Sequence, residues 1–216
     1  MYKSNLKIQL SQDWCKTIQK ELECEIESIH CSNINPTHVL DIILFSKSKK
    51  LKQIPEFLKE QQTISEFSIL EENEQYIIAK VITKDEFQGS IISKALEFDC
   101  FLISNIKIKN SNEFWTICSK SKENIKKFIG KLRKTKKVDI LSIEPYTFNQ
   151  QQLSEKQFQS ISKAYEKGLY NIPKTTSIEQ LANELEISQS TLAVHIQKAE
   201  QKIIQNYIEN SNEYIR

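Results

Sequence analysis

Glycine is scarce in this sequence, and the glycine-containing motifs of several enzyme classes are missing from it. The 216 residues include three glycines, and no G-x-x-x-x-G-K-[ST], G-x-G-x-x-G or G-x-S-x-G pattern occurs. The usual phosphate-binding loops and the turn that presents a nucleophilic serine are therefore excluded. Histidine is equally rare, with three residues and no H-E-x-x-H pair. We do not expect an enzyme.

Cysteine pairs are also lacking. The five cysteines are scattered, without a C-x-x-C pair, and their odd number argues against a disulfide framework. We expect free thiols that pack as small core residues, and we predict no cofactor and no metal. One loose group leaves a soft-metal or redox sensor open as an alternative. It comprises Cys24, His30, Cys31 and His38.

Long apolar runs are absent as well. No segment approaches the roughly 20 apolar residues that span a bilayer, and the first residues, MYKSNLKIQLSQDW, are polar and alternating, unlike a signal peptide. We therefore expect a cytoplasmic protein with no membrane partner. A chain of this length can form one large domain or two small ones, each with its own core.

The charges are nearly balanced overall but unevenly distributed. The formal net charge is +2; residues 151–216 hold seven basic against eight acidic side chains, and residues 1–150 hold 23 against 20. The segment 120–137 carries nine basic residues and one acidic residue. Its apolar residues recur at helical spacing, which predicts an amphipathic helix with a basic exterior. Such an exterior is usually only solvated; a supplementary phosphate contact is the alternative.

Residues 1–146 alternate between strand and helix patterns. Strands are predicted at 6–10, 24–31, 38–45, 64–70, 76–83, 100–109, 113–118 and 138–145, and helices at 13–22, 51–61, 90–98 and within 120–137. From His38 onward this order is typical of a ferredoxin-like βαβ unit that runs on past one copy. We predict an α+β domain with an antiparallel sheet and helices on one face, which senses a signal or dimerises.

A second, all-α domain is predicted at 147–216. The segment 146–152, YTFNQQQ, is polar and follows Pro145, as expected of a short linker. Farther on, the stretch 177–196, SIEQLANELEISQSTLAVHI, has the pattern of two short helices joined by a tight turn. Its apolar residues share one face of each helix and would be buried. They are Leu181, Leu185, Ile187, Leu192 and Ile196.

Small and capping residues fit the same arrangement. Ala182 falls where the two helices would cross, so that the backbones can approach closely. Thr176 and Glu179 have the spacing of a capping box, which would start the first helix. Ser188 directly follows Ile187 and can cap the second helix. Beyond residue 196 the apolar spacing continues, which predicts a long C-terminal helix that folds back on its own domain or pairs with a second chain.

The outward face of the second helix is uncharged or basic, unlike the other predicted helices. Amide side chains can pair with adenine, and small aliphatic side chains can contact the thymine methyl group. This favours a helix-turn-helix that reads a DNA groove over a generic helical pair. The side chains on this face are Gln189, Ser190, Thr191, Ala193, Val194 and Gln197.

The segment 153–204 carries a motif in two parts that extends well beyond the helix pair. The first part of the motif, L-[ST]-x-x-Q followed by A-x-x-x-G and an aromatic loop with proline, is matched by Leu153, Ser154, Gln157, Ala164, Gly168, Tyr170 and Pro173. The second part, S-x-S-T-L-x-x-H-[LI]-x-x-A-E-x-K, is matched by Ser188, Ser190, Thr191, Leu192, His195, Ile196, Ala199, Glu200 and Lys202. With this motif the segment resembles the C-terminal domain of the bacterio-opsin-activator-type archaeal regulators. The resemblance covers about a quarter of the chain and implies a DNA-reading domain behind a sensing or pairing domain.

Two positions depart from the family pattern. Glu186 occupies the turn position where the family usually has glycine, and a positive φ there would cost about 1 kcal/mol. This cost is tolerable but favours a slightly different turn. Gln197 and Lys198 replace a basic pair, which removes one expected phosphate contact. His195 lies beside the buried stripe with no cysteine or carboxylate at ligand spacing, so packing or a phosphate contact is favoured over metal binding.

The combined prediction is a sequence-specific transcription regulator that binds double-stranded DNA as a homodimer and responds to a small-molecule effector that the sequence does not identify. Ser188 through Gln197 would enter the major groove. The base-edge candidates are Gln189, Ser190, Ala193 and Val194, and the phosphate candidates are Thr191, Lys198 and Lys202, with Ser188 and Gln197 beside them. One alternative is a ligand- or metal-sensing protein whose C-terminal helices contact protein. Another is an enzyme that uses the α+β domain.

Overall fold

A computed structural model describes residues 1–10, 14–84, 90–147 and 152–212, with side chains up to residue 208. The chain divides into two compact units, Met1–Tyr146 and Thr147–Arg216. The first unit combines strands and helices, and the second is built from helices alone within the described residues.

The N-terminal unit contains nine strands and four α-helices in its described part. The strands are β1 Tyr2–Gln9, β2 Glu25–Asn35, β3 His38–Ser46, β4 Ile64–Glu72, β5 Tyr76–Lys84, β6 Cys100–Leu102, β7 Ile106–Lys109, β8 Asn112–Ser119 and β9 Val138–Pro145. The helices are α1 Trp14–Leu22, α2 Ile54–Lys59, α3 Ile91–Glu97 and α4 Lys122–Leu132. A 3-10 turn, Leu51–Gln53, leads into α2, and Pro55 lies in the first turn of α2, where its missing N–H costs no helical hydrogen bond.

All nine strands belong to one antiparallel sheet. The order is β4-β5-β3-β2-β7-β8-β1-β9, and β6 pairs with β8. The β2–β7 pair joins the two halves, with Ile26 opposite Ile108 and Ser28 opposite Ile106. The predicted α+β class and antiparallel sheet are confirmed.

The predicted ferredoxin-like repeat is not confirmed. In a split βαβ unit, the first strand lies beside the later strands of the same unit. Here β1 lies between β8 and β9, and β5 takes the place between β3 and β4. If the chain is divided into β1–β4 and β5–β9, the first strand of each half pairs with strands of the other half. The result is a single sheet that is larger than one ferredoxin-like unit.

Four helices cover one face of this sheet. Residues at alternate strand positions are buried on that face, and the register aligns them across strands: Phe45 lies opposite Ile26 and Ile77. One cluster packs α1 and α2 on β2, β3 and β5, and a second packs α3 and α4 on β1 and β8. Burial of these apolar surfaces is the main contribution to the stability of the unit.

The predicted strand 100–109 is wrong as a single element. It splits into β6 and β7, which both pair with β8 but in different registers. Cys100 pairs with Ser119, whereas Lys107 pairs with Phe114, so two extra residues are accommodated between the strands. The polar residues Ser104 and Asn105 lie there, and the Asn105 amide donates to Glu27 Oε1 at 2.9 Å. This irregularity allows β7 to pair with β2 as well.

Asp41 on β3 provides a test of electrostatics within the sheet. Ser28 Oγ donates to Asp41 Oδ1 at 2.7 Å. Burial raises the pKa of the Asp41 carboxyl despite this hydrogen bond. Because the folded-state pKa lies above the ordinary value, ionised Asp41 destabilises the folded state. This destabilisation grows as the pH rises from the pKa of Asp41 in the unfolded chain to its higher pKa in the folded protein.

We expect Asp41→Asn to increase the free energy of unfolding relative to wild type by an amount that grows as the pH rises from about 4. The asparagine amide oxygen can still accept from Ser28. Urea titrations over a pH series measure this difference, with Asp139→Asn at an exposed position of β9 as the matched control. A difference that stays constant or shrinks with pH would contradict the assigned shift.

Candidate nucleic-acid interface

The C-terminal unit is built from three helices whose starts are set by local capping. They are α5 Glu155–Glu166, α6 Ile178–Glu184 and α7 Gln189–Asn212. At the start of α5, the backbone N–H of Gln157 donates to Ser154 Oγ at 3.3 Å, and the backbone N–H of Ser154 donates to Gln157 Oε1 at 2.9 Å. This reciprocal capping box satisfies two N–H groups that have no partner within the helix.

The predicted cap of α6 is wrong by one residue. Ser177, not Thr176, is the N-cap, because Ser177 Oγ accepts from the Gln180 N–H at 3.2 Å and the Ser177 N–H donates to Gln180 Oε1 at 3.0 Å. Glutamine at the third helical position completes the box as glutamate would. Thr176 instead donates from Oγ1 to Gln180 Oε1 at 3.2 Å.

The apolar stripe predicted for the two helices forms the core of the unit. The buried residues of this core are Ala164, Leu169, Leu181, Ala182, Leu192 and Ile196. Leu185 and Ile187 pack against them at half-buried positions, as their places next to the turn require. Ala182 is buried in this core, as expected for a small residue between the two helices.

The turn between α6 and α7 keeps the positive φ that the family usually gives to glycine, so the expected change of turn is not seen. Glu186 adopts φ 53°, the left-handed region that favours glycine. The Ile187 N–H then donates to the Ala182 carbonyl at 3.0 Å and closes the end of α6. Ser188 caps α7, because its Oγ accepts from the Thr191 N–H at 3.1 Å. The turn therefore fixes where α7 starts.

The proposed reading face of α7 is open to solvent. Leu192, Ile196 and Ala199 are buried on one side of the helix. The opposite side is exposed and carries no acidic side chain in its first two turns. Its residues are Ser188, Gln189, Ser190, Thr191, Ala193, Val194, Gln197 and Lys198. All eight are among the predicted contact residues, so the structure brings them together on one accessible surface.

Lys202, the ninth predicted contact, lies elsewhere on the helix. It is half-buried, and its Nζ donates to the Gln152 carbonyl at 2.8 Å, which connects α7 to the residues before α5. A phosphate contact would have to replace this hydrogen bond. Lys198 is fully available by comparison and is the first lysine to test.

Two ion pairs connect α6 with the C-terminal end of α5. Glu184 Oε1 lies 2.8 Å from Lys163 Nζ and 2.9 Å from Lys167 Nζ. Hydrogen bonds from these lysines lower the pKa of the Glu184 carboxyl, and the Glu184 carboxylate raises the pKa of Lys163. Sequence reasoning missed this cluster, because the three residues are brought together only by the packing of α5 on α6.

The cysteine and histidine residues of the N-terminal unit do not form a metal site. Within the described ranges, no group of three or more histidine, cysteine, aspartate and glutamate side chains is placed to hold an ion. Burial raises the pKa of Cys24 to about 11 and also raises the pKa of Cys31, where nearby Asp41 adds to the effect. Metals bind the thiolate, which burial disfavours at both positions.

A comparison with protein families identifies the C-terminal unit. Residues 153–205 match the model of the helix-turn-helix (HTH) DNA binding domain. The segment contains an HTH domain. The match begins at the residue before the Ser154 cap and ends within α7, so it contains all three helices that form the core. No curated protein matches the chain.

The HTH domain confirms the resemblance to bacterio-opsin-activator-type regulators for this segment. The match supports a DNA-binding role for the C-terminal unit, as in helix-turn-helix regulators. The predicted contacts Ser188 through Lys202 all lie inside the matched segment. None of the described helices is both long and apolar enough to cross a membrane.

Proposed function

We propose that the protein is a sequence-specific transcription regulator whose α7 places its first two to three turns in the major groove of DNA. The observation that carries this proposal is the exposed, acid-free face formed by Ser188 to Lys198 on a helix whose other side is buried. A helix with this exposure can lie in the groove without unfolding of its own domain. The HTH domain match supports the same assignment.

The contacts divide into base-edge and phosphate contacts. Gln189, Ser190, Ala193 and Val194 would face base edges, with Gln197 at the far end of the face and Ser188 at its start. Thr191 and Lys198 would contact phosphates, which position the helix without reading sequence. Lys202 would join them only after release of the Gln152 carbonyl.

The electrostatics of the C-terminal unit favour binding as two copies. Residues 151–216 hold seven basic against eight acidic side chains, so a single copy gains little from the phosphate backbone. Two linked copies on two half-sites recover affinity by avidity. We propose that the protein acts as a homodimer, that the N-terminal unit senses an effector or contributes to pairing, and that the basic exterior of α4 adds phosphate contacts.

We expect Gln189→Ala to relax the base preference at one position of the selected site, because an amide that pairs bidentately is worth about 1–3 kcal/mol of discrimination. Selection of binding sequences from random duplexes with the full chain measures this preference directly. Gln201→Ala is the matched control, since Gln201 is exposed on the same helix about 18 Å farther along.

Lys198→Gln separates the two kinds of contact in the same assay. It should weaken binding to all sequences alike and lower the slope of log affinity against log salt concentration by about one unit for each bound copy, with the selected sequence unchanged. An unchanged sequence preference in Gln189→Ala would show that another part of the domain reads the bases. Failure of the wild-type chain to select any duplex would overturn the proposed function and favour a sensor whose C-terminal helices contact protein.

A further inference from the structure

The second half of α7 carries an apolar surface that the domain leaves uncovered. After Ala199, which is fully buried, no apolar residue of α7 up to residue 208 is buried within the unit. Four large apolar side chains follow at i, i+1, i+4 and i+5 spacing, and Tyr207 is 75% exposed. We call them the tail stripe: Ile203, Ile204, Tyr207 and Ile208. Contiguous apolar patches of this kind mark interaction sites.

The loop between α5 and α6 extends this surface. Tyr170 Oη donates to Glu200 Oε1 at 2.6 Å, so the loop lies against α7 one turn before the tail stripe. The loop residue Ile172 is fully exposed, and Tyr170 also exposes a large part of its ring. The hydrogen bond also satisfies the carboxylate of Glu200, which lies on the same side of the helix as Tyr207. The charged side chain nearest the start of the tail stripe, Glu200, is therefore already paired.

We propose that the tail stripe is the contact with a second copy of this chain, and that the two α7 helices pair in antiparallel orientation around it. The proposal rests on the proposed function. Between residues 199 and 208 the only charged residues are Glu200, held by Tyr170, and Lys202, held by the Gln152 carbonyl. Two copies can therefore approach without the burial of like or unpaired charges.

The distance that this pairing sets between the two reading faces agrees with the distance between successive major grooves of DNA. The centre of the reading face, near Ala193, lies about 12 residues before the centre of the tail stripe, or roughly 19 Å along a helix with a rise of 1.5 Å per residue. An antiparallel pair places the two reading centres about 38 Å apart, and slightly less at the crossing angles of about 20–50° that helices adopt. Successive major grooves on one side of a duplex are about 34–36 Å apart.

The stripe also leaves the reading face unobstructed, because contact and reading use different halves of one rigid helix. Pairing through this half fixes the distance between the two reading faces without a flexible linker. The structure therefore assigns a site architecture of two inverted half-sites with centres one helical turn, roughly 10–11 base pairs, apart. A different partner protein on the stripe would impose no such spacing.

The test uses the full chain and a double variant, Ile204→Glu with Tyr207→Glu. Light scattering after gel filtration should show a dimer for wild type and a monomer for the variant. Affinity for paired half-sites should fall at least tenfold, while affinity for a single half-site should change less than twofold. Paired half-sites should bind best at a spacing of 10–11 base pairs, and worse when 5 base pairs are inserted.

Tyr165→Glu is the matched control, because Tyr165 lies on α5 of the same unit and is 74% exposed. It should remain dimeric. Circular dichroism of all variants checks folding, and Tyr207→Glu alone provides a milder variant. A dimeric double variant, a monomeric wild type, or equal loss of the dimer in Tyr165→Glu would overturn the pairing, whatever the DNA results. Loss of the dimer in the double variant alone supports the pairing, even if no duplex is selected and the proposed function fails.

Discussion

Leu192→Ala is expected to unfold the C-terminal unit and to abolish DNA binding by the full chain. Leu192 is fully buried at the centre of a core with six buried residues. Truncation of a buried leucine to alanine lowers the free energy of unfolding by about 2–5 kcal/mol, because less apolar surface is buried on folding and a cavity remains. A unit of about 70 residues with a single core rarely has more than about 3–5 kcal/mol of stability in total. The substitution therefore removes most or all of the stability of the C-terminal unit.

The two units allow the effect to be localised. Thermal unfolding followed by circular dichroism should show early loss of helical signal in Leu192→Ala, while the sheet signal of the N-terminal unit melts as in wild type. Val194→Ala is the control on the same helix, since Val194 is exposed and should change stability by less than about 0.5 kcal/mol. Its effect should appear only in DNA binding. A folded Leu192→Ala domain that still selects its duplex would show that the core is not organised around this residue.

The C-terminal unit was predictable because its determinants are local. The apolar stripe from Leu181 to Ile196 follows one helical period, and Ser188 and Glu186 lie within the few residues that set the turn. The error at the start of α6 was a choice between adjacent residues, Thr176 and Ser177, that have nearly equal capping ability. Local sequence could not distinguish them, because the decision depends on which hydroxyl meets the Gln180 N–H.

The strands of the N-terminal unit could be predicted individually, but their order in the sheet could not. The alternation at 76–83 predicts a strand, and the acidic turn before it is typical of a hairpin with the strand predicted at 64–70. The pairing of β4 with β5 confirms this hairpin. The pairing of β1 with β8 and β9 joins residues more than a hundred positions apart. Nothing in the local pattern of β1 specifies those partners, since the same buried residues would fit beside β3.

The candidate site shows the same division between local and non-local features. The exposed residues from Ser188 to Lys198 follow from helical periodicity alone. The position of Lys202 does not, because it depends on the backbone of Gln152, fifty residues earlier. The tail stripe lies between these cases. Its apolar spacing was visible in the sequence, and the structure adds that Ala199 is the last apolar residue of α7 that its own domain buries, up to residue 208.

Gly168→Ala is expected to destabilise the C-terminal unit by at least about 2 kcal/mol, because two costs add. Gly168 adopts φ +77° at the end of α5, where a side chain costs about 1–2 kcal/mol. A Cβ atom there would also lie 2.1 Å from Thr175 Oγ1 and 2.6 Å from Asn171 Nδ2. Thr175 Oγ1 donates to the Lys167 carbonyl at 2.8 Å, so its displacement breaks a bond that closes the helix end.

Glu186→Gly tests the same conformational argument with the opposite sign. Glu186 already bears the cost of φ 53°, so glycine should stabilise the unit by up to about 1 kcal/mol, reduced by the greater freedom of glycine in the unfolded chain. Urea unfolding of the two variants beside wild type measures both effects. Because neither residue lies on the reading face, the selected DNA sequence should stay the same in any variant that remains folded. Two shifts of the same sign would show that left-handed backbone conformation does not control stability at these helix ends.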